Sequence, residues 1–182
     1  MQNDAASALA VLRLRSSVLA VLTLALTLSL IAFLRFGWTQ RLWWLVPLLV
    51  ALGAIIVLDL RTKVIPDVIT LPGIVYALIA AISVESHSFG AALVGMVVGG
   101  GLVWLIAAIS RGAVGGGDIK LMAMLGAALG WKGALAVLAL SQVAAALVAV
   151  CLLIARRAGV RDHLPVGALI SFFGAVMLLG PP

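Results

Sequence analysis

The chain has 182 residues, 65% of them hydrophobic and 10% charged, far from the roughly 45–50% apolar and 25% charged of a water-soluble domain. That balance excludes a soluble fold and indicates a membrane protein. At about 20 apolar residues per crossing, the length holds six or seven spans joined by short loops. The formal charge of +6 comes from Lys and Arg placed singly or in pairs at the ends of apolar runs, without interleaved aromatics, so it marks membrane orientation and no nucleic-acid partner.

In chain order, Arg13 and Arg15 precede an apolar run at 16–34 that ends at Arg35. The run is long for a signal-peptide core and has no small-residue cleavage pattern, so it reads as a retained anchor helix. Residues 1–41 then form a basic N-terminal segment with an extra anchor helix, ahead of a membrane domain over 42–182. Further apolar runs at 42–60, 68–84, 89–109, 119–130, 133–155 and 164–180 predict an all-α, polytopic transmembrane helical bundle of six to seven membrane segments. The run at 119–130 is short for a full crossing and is expected to be tilted, half-buried or re-entrant, shielded by its neighbours. Gly95-x-x-x-Gly99 and Gly126-x-x-x-Gly130 have the spacing of close helix packing. Trp38, Trp43, Trp44 and Trp131 fall near predicted interfaces. The single cysteine, Cys151, lies inside an apolar run, which rules out intrachain disulfides and multi-cysteine metal sites and leaves it a packing role.

With all seven segments crossing and the N-terminus cytoplasmic, Arg13, Arg15, Arg61, Lys63, Arg111, Lys120, Arg156, Arg157 and Arg161 fall on the cytoplasmic side. Only Arg35, Arg41 and Lys132 fall opposite. This asymmetry is the one expected of cytoplasmic loops. It places Asp59 and Asp118 at cytoplasmic helix ends, where they could meet, and Glu85 on the far side.

Carboxylates are scarce: Asp4, Asp59, Asp67, Glu85, Asp118 and Asp162. Asp59 ends an apolar run in LDLRTKVIPDVITLP, where Pro66 interrupts the chain, and Asp118 follows Gly115, Gly116 and Gly117 in GAVGGGDIKLMAML. The plainer readings are that Asp59 balances Arg61 or Lys63 and that Asp118 caps the helix starting at Ile119. Asp67 reads as the cap of the helix entered at Val68, with substrate contact as the alternative. A carboxylate at a membrane edge is nonetheless costly unless it faces protein or water, which marks both Asp59 and Asp118 as functional candidates. Two carboxylates sharing a site do not both ionise easily and so hold a proton between them. That arrangement splits a peptide bond with water: one member takes a proton from the attacking water and the other gives one to the carbonyl oxygen. The glycines would let an extended substrate backbone, or a partner helix, approach closely.

Other chemistries fit less well. The glycine run lacks the spacing of a phosphate-binding loop or a dinucleotide fold. His87 and His163 are isolated, which argues against zinc, and the carboxylate mechanism itself calls for no metal or organic cofactor. Ser141 and Gln142 sit mid-span without a neighbouring histidine or lysine, and Ser141 is read as a helix–helix hydrogen-bond donor.

The two stretches resemble the signature of the type IV prepilin peptidases, polytopic membrane aspartic proteases. Asp59, then Ile65, Pro66, Asp67, Thr70, Leu71 and Pro72 match the first motif, and Gly115, Gly117, Asp118, Ile119, Lys120 and Leu121 match the second, G-x-G-D. LGAALGW (125–131) and LPVGALI (164–170) resemble two further family segments in order, so the likeness covers about residues 42–180. The resemblance implies that Asp59 and Asp118 are the catalytic pair, with Gly115, Gly117, Lys120, Pro66 and Asp67 positioning the substrate. That substrate would be a prepilin or pseudopilin precursor whose short basic leader is removed at the cytoplasmic face of a bacterial inner membrane. Pilus or secretion assembly proteins and membrane lipid are the further implied partners. The cysteine-bearing insertion that larger members associate with N-methylation is absent, which resembles the compact, peptidase-only branch serving Flp-type pili. The presenilin and signal-peptide-peptidase group shares the G-x-G-D aspartate, but the neighbourhoods of Asp67 and Lys120 favour the prepilin branch. Two other classes stay open: a carboxylate-relay ion- or proton-coupled transporter, and a non-catalytic scaffold of a secretion machine.

Overall fold

The computed structural model describes residues 2–83, 88–110, 114–155 and 165–180. Glu85, His87, Arg111, Arg156, Arg157, Arg161, His163 and Leu164, all used in the sequence reading, lie outside them, as do the side chains of Arg13 and Arg15. Among the described residues there are helices and no strand. They are α1 (Gln2–Phe36), α2 (Gln40–Thr62), α3 (Asp67–Ser83), α4 (Phe89–Ile109), α5 (Gly116–Ile154) and α6 (Val166–Leu178). Four helices contain stretches long and apolar enough to cross a membrane, while α3 and α6 are shorter and equally apolar. The protein is therefore a multi-pass helical bundle.

The fifth and sixth expected segments join without a loop. Two helices abut within Gly116–Ile154 at Gly130, which has φ 70° and ψ 176°, a conformation glycine tolerates because it has no Cβ. A straight helix would separate residues 118 and 142 by about 36 Å, yet Asp118 lines one cavity with Leu138 and Gln142. The chain therefore reverses at Gly130 into two arms, 116–129 and 131–154. The first arm is only about 21 Å long, short of the roughly 30 Å hydrocarbon core. Its neighbours compensate: Leu121, Met122, Met124, Leu125 and Ala127 are buried, packed with Leu49, Leu52 and Ile55 of α2 and Val137 of the second arm. This short arm is thus packed at the centre, as the expectation of shielding required.

The two glycine pairs meet each other. A Cβ on Gly95 would collide with the Gly126 carbonyl oxygen and stand 2.8 Å from the Gly130 Cα, and one on Gly99 would stand 2.5 Å from the Met122 carbonyl oxygen. Lipid offers no hydrophobic drive between helices, so such backbone approach is what holds α4 against both arms of α5. The same contacts fix direction: residue 95 lies beside 126 and residue 100 beside 123, so α4 and the first arm are antiparallel. In the same way Gly53 of α2 lies against Ala25 of α1, Gly73 of α3 against Met124, and Gly174 of α6 against Leu125. The ends of α2, α4 and the second arm thus share one side of the bundle with the starts of α3, the first arm and α6.

At the opposite end Trp38, Trp43 and Trp131 are exposed, as interfacial anchors are. Arg41 lies 4.6 Å over the Phe36 ring and Lys132 5.7 Å over the Trp131 ring. Pro47 inside α2 removes the N–H that would bond the Trp43 carbonyl. The Tyr76 hydroxyl donates to that carbonyl at 3.2 Å, which ties α3 to α2 at the break.

Candidate active site

Both sequence-selected aspartates sit at the same end, each placed by a helix terminus. Asp59 lies in the last turn of α2, which stops when Lys63 adopts the left-handed region at φ 55° and its N–H bonds the Asp59 carbonyl at 2.9 Å. The Asp59 side chain is turned inward and only 5% exposed. Its Oδ2 accepts a hydrogen bond from the Ala168 N–H at 2.7 Å. Ala168 belongs to the first turn of α6, whose free N–H groups favour a carboxylate. Asp59 thus does more than balance nearby cations.

Asp118 stands in the first turn of α5, and its carboxylate reaches back to the Gly115 backbone N–H. The helix starts at Gly116 and not at Ile119 as the plainer reading had it, so Asp118 caps it from its third residue, the position where a capping-box carboxylate sits. It is also close enough to feel the charge of Asp59, and it lines a cavity of about 100 Å³ with Val103, Ile106, Leu138, Gln142 and Ile170.

Ile65 packs the end together. A Cβ on Gly117 would stand 2.8 Å from the Ile65 Cβ, and one on Gly167 would stand 2.5 Å from the Ile65 Cδ1 and 3.1 Å from the Asp59 Cγ. The isoleucine before Pro66 is therefore wedged between the starts of α5 and α6, and Gly117 serves the approach of a neighbouring loop. Gly115 and Gly116 are exposed, and a Cβ on Gly116 would meet nothing within 4 Å, so the substrate-approach reading fits this pair better. The Pro66 carbonyl accepts from Ile69 N–H and Thr70 N–H at 3.1 and 3.3 Å, starting α3.

Asp67 opens that helix one residue earlier than expected, and its Oδ2 pairs with Lys120 Nζ at 2.6 Å. The two motifs, 53 residues apart, are thus tied directly. On α1, Ser16 and Ser17 bond the Arg61 guanidinium. Ser141 is a correction: its hydroxyl donates to the Leu138 carbonyl at 2.9 Å, within its own helix, and so is not a helix–helix donor.

Sequence reasoning missed Gly167 and Ala168 as neighbours of Asp59, because 109 residues separate Asp59 from Ala168. The available signal was the glycine of LPVGALI beside a proline that ends a loop. Gln142 was likewise not placed beside Asp118. Among the described residues no group of three or more His, Cys, Asp or Glu could hold a metal ion.

A multi-pass helical membrane protein with two carboxylates at adjoining helix ends, one of them after a glycine run, defines a narrow class. The sequence model of the type IV leader peptidase family matches residues 45–150, and the chain belongs to that family. It is similar to the prepilin leader peptidase/N-methyltransferase of Pseudomonas putida, with 32% identity over 157 residues, 84% of this chain and 54% of that protein. The protein of the same description from Myxococcus xanthus is 35% identical over 71% of this chain and 40% of its own length. That from Aeromonas hydrophila is 30% identical over 91% and 58%. The chain thus spans about half the length of the curated relatives it matches. No solved structure matches it.

Proposed function

We propose that the protein is a membrane aspartic endopeptidase that removes the leader from pilin-like precursors, with Asp59 and Asp118 as its catalytic pair. The observation that supports this reading is that both carboxylates stand at one end of the bundle, Asp59 held by the α6 N-terminus and Asp118 at a cavity, near enough for the charge of Asp59 to act on Asp118. In the proposed reaction, one carboxylate takes a proton from water as its oxygen attacks the scissile carbonyl carbon, and the protonated partner donates to the carbonyl oxygen. Collapse breaks the C–N bond and returns a proton to the leaving amine. Gly115 and Gly116 leave room for the extended substrate, while Lys120 and Asp67 hold the two motifs in register.

The curated relatives are described as prepilin leader peptidases, which supports a prepilin or pseudopilin substrate. The charge asymmetry supports a bacterial inner-membrane protein with this end cytoplasmic, where a basic leader would remain. Peptidase action without N-methylation, on a Flp-type precursor, is the finer form of this proposal, and the resemblance of the two aspartate motifs to the compact branch supports it. The one-ended position of the carboxylates disfavours a transport relay, whose sites lie near the bilayer midplane.

The test is cleavage of a prepilin by purified protein in liposomes, read by gel shift and product mass. Wild type is expected to cut at the leader–helix junction, while Asp59→Ala and Asp118→Ala do not. Undiminished cleavage by Asp118→Ala would overturn the reading.

A further inference from the structure

Helix α6 lays one face inward: Gly167, Ala168, Ser171, Gly174, Ala175 and Leu178 are buried, at the spacing of a single helix face. The start of that face meets Asp59. The Ala168 N–H donates to Oδ2 at 2.7 Å, and a Cβ on Gly167 would stand 3.1 Å from the same oxygen. Further along, Gly174 lies against Leu125 of the first arm. Ser171 stands between them, one turn beyond Gly167. Its side chain is fully buried, and its hydroxyl has no hydrogen-bond partner among the described residues. Other helical hydroxyls of this chain bond a carbonyl of the preceding turn, as Ser141 does on Leu138 at 2.9 Å and Thr62 on Leu58 at 2.8 Å. A buried hydroxyl without a partner is costly and calls for an account. The buried charged group at this face is Asp59.

We infer that Ser171 is a positioning residue for Asp59, its hydroxyl joined to Oδ2 through one bridging water. The inference rests on the peptidase reading above, which makes Asp59 half of the catalytic pair. Three residues along a helix carry the chain about 4.5 Å beyond Ala168, and two hydrogen bonds in series through a water span about 5 Å. A carboxylate oxygen accepts two hydrogen bonds, and a hydroxyl both donates and accepts, so Oδ2 takes the water beside the Ala168 N–H. A buried water needs at least two polar partners, and these two groups supply them. Held twice at Oδ2, the carboxylate is fixed in its plane, and Oδ1 is the oxygen left for proton transfer.

The experiment uses the full chain in lipid and three readouts. A density map fine enough to show ordered water is expected to place one water between Ser171 Oγ and Asp59 Oδ2. The infrared carboxyl band of Asp59, identified as the band lost in Asp59→Asn, is expected to move in Ser171→Ala and to stay in place in Ser141→Ala. In precursor cleavage Ser171→Ala should lower kcat about ten-fold, as misplacement of a reacting group does, and change KM less than about two-fold, the split of an interaction realised in the transition state. Ser141→Ala should keep the wild-type rate within about two-fold. A Ser171 hydroxyl found on the Gly167 carbonyl with no water, an Asp59 band unmoved in Ser171→Ala, or a wild-type kcat in that variant would overturn the positioning role. Failure of wild type to cut any precursor would instead overturn the peptidase reading, while the map and the band, which need no substrate, still decide the contact. Thermal unfolding separates misfolding from misplacement. Ser171→Cys, a weaker hydrogen-bonding group of similar size, carries the same band and kcat tests should Ser171→Ala fail to fold.

Discussion

The two ends of the bundle are held by different means. At the aspartate end, polar and directed contacts between elements stand beside the Ile65 packing: Asp59 to Ala168, Asp67 to Lys120, and Arg61 to Ser16 and Ser17. At the far end, aromatic rings and glycines predominate, with the Trp44 and Tyr76 rings tilted at 45° and 5.6 Å apart, the Tyr76 hydroxyl on the Trp43 carbonyl, and Gly95 laid against Gly126 and Gly130. Glycine packing of this sort sets distance with no charge or proton involved, so it suits a frame. Charged groups are costly in a membrane and persist where they do chemistry or orient something that does. The difference teaches that the far end sets where the helices stand, and the near end sets how two carboxylates face each other.

That contrast predicts separable failures. The largest effect is expected at Gly167, where an added Cβ would meet Ile65 and Asp59. Gly167→Ala should cut turnover about 100-fold through misplacement of Asp59 while the bundle still unfolds cooperatively, as measured by cleavage kinetics beside thermal unfolding. Retained turnover would separate Gly167 from the site.

A frame position should do the reverse. Gly95→Ala must push apart two backbones and should destabilise the bundle by about 1–3 kcal/mol, as overpacking does. Gly101 of the same helix meets nothing within 4 Å, and Gly101→Ala should be neutral or stabilising by up to about 1 kcal/mol. Unfolding of both variants in one detergent measures the gap, and equal effects would deny the packing account.

The smallest effect belongs to the Lys120–Asp67 pair. Its side chains are 37% and 54% exposed, so Lys120→Met should cost less than about 1 kcal/mol of stability. A few-fold loss of cleavage, partly restored when the charges are exchanged as Lys120→Asp with Asp67→Lys, would mark the pair as a register device. A loss of several kcal/mol would instead make it part of the frame.

Much of the near end could be read in the sequence, because apolar runs alternate direction. Counting runs from Asp59 to Asp118 brings the chain back to the same side, and the charge asymmetry agrees. The reversal at Gly130 was legible as the break between the runs at 119–130 and 133–155, marked by Trp131 and Lys132; hidden was only that a single glycine with positive φ replaces the loop that usually separates two spans. The α6 contact to Asp59 was hidden for a different reason. Its donor is a backbone N–H, which has no residue type, so LPVGALI could be singled out as a segment without showing what Ala168 bonds. Lys120 and Asp67 each lay in a selected motif, but pairing across 53 residues depends on how α3 and the first arm stand side by side, and that is set by Gly73 and Met124.

The central claim is that Asp59 and Asp118 act as one unit. Its most direct test is single-turnover cleavage by wild type, Asp59→Asn, Asp118→Asn and the double variant. Acid–base groups contribute about 100- to 10,000-fold, and groups that share one task are far from additive. Each single variant should therefore fall by about that factor, with the double variant no slower than the worse of the two. Losses that multiply in the double variant, or a single variant that cleaves at the wild-type rate, would contradict the account.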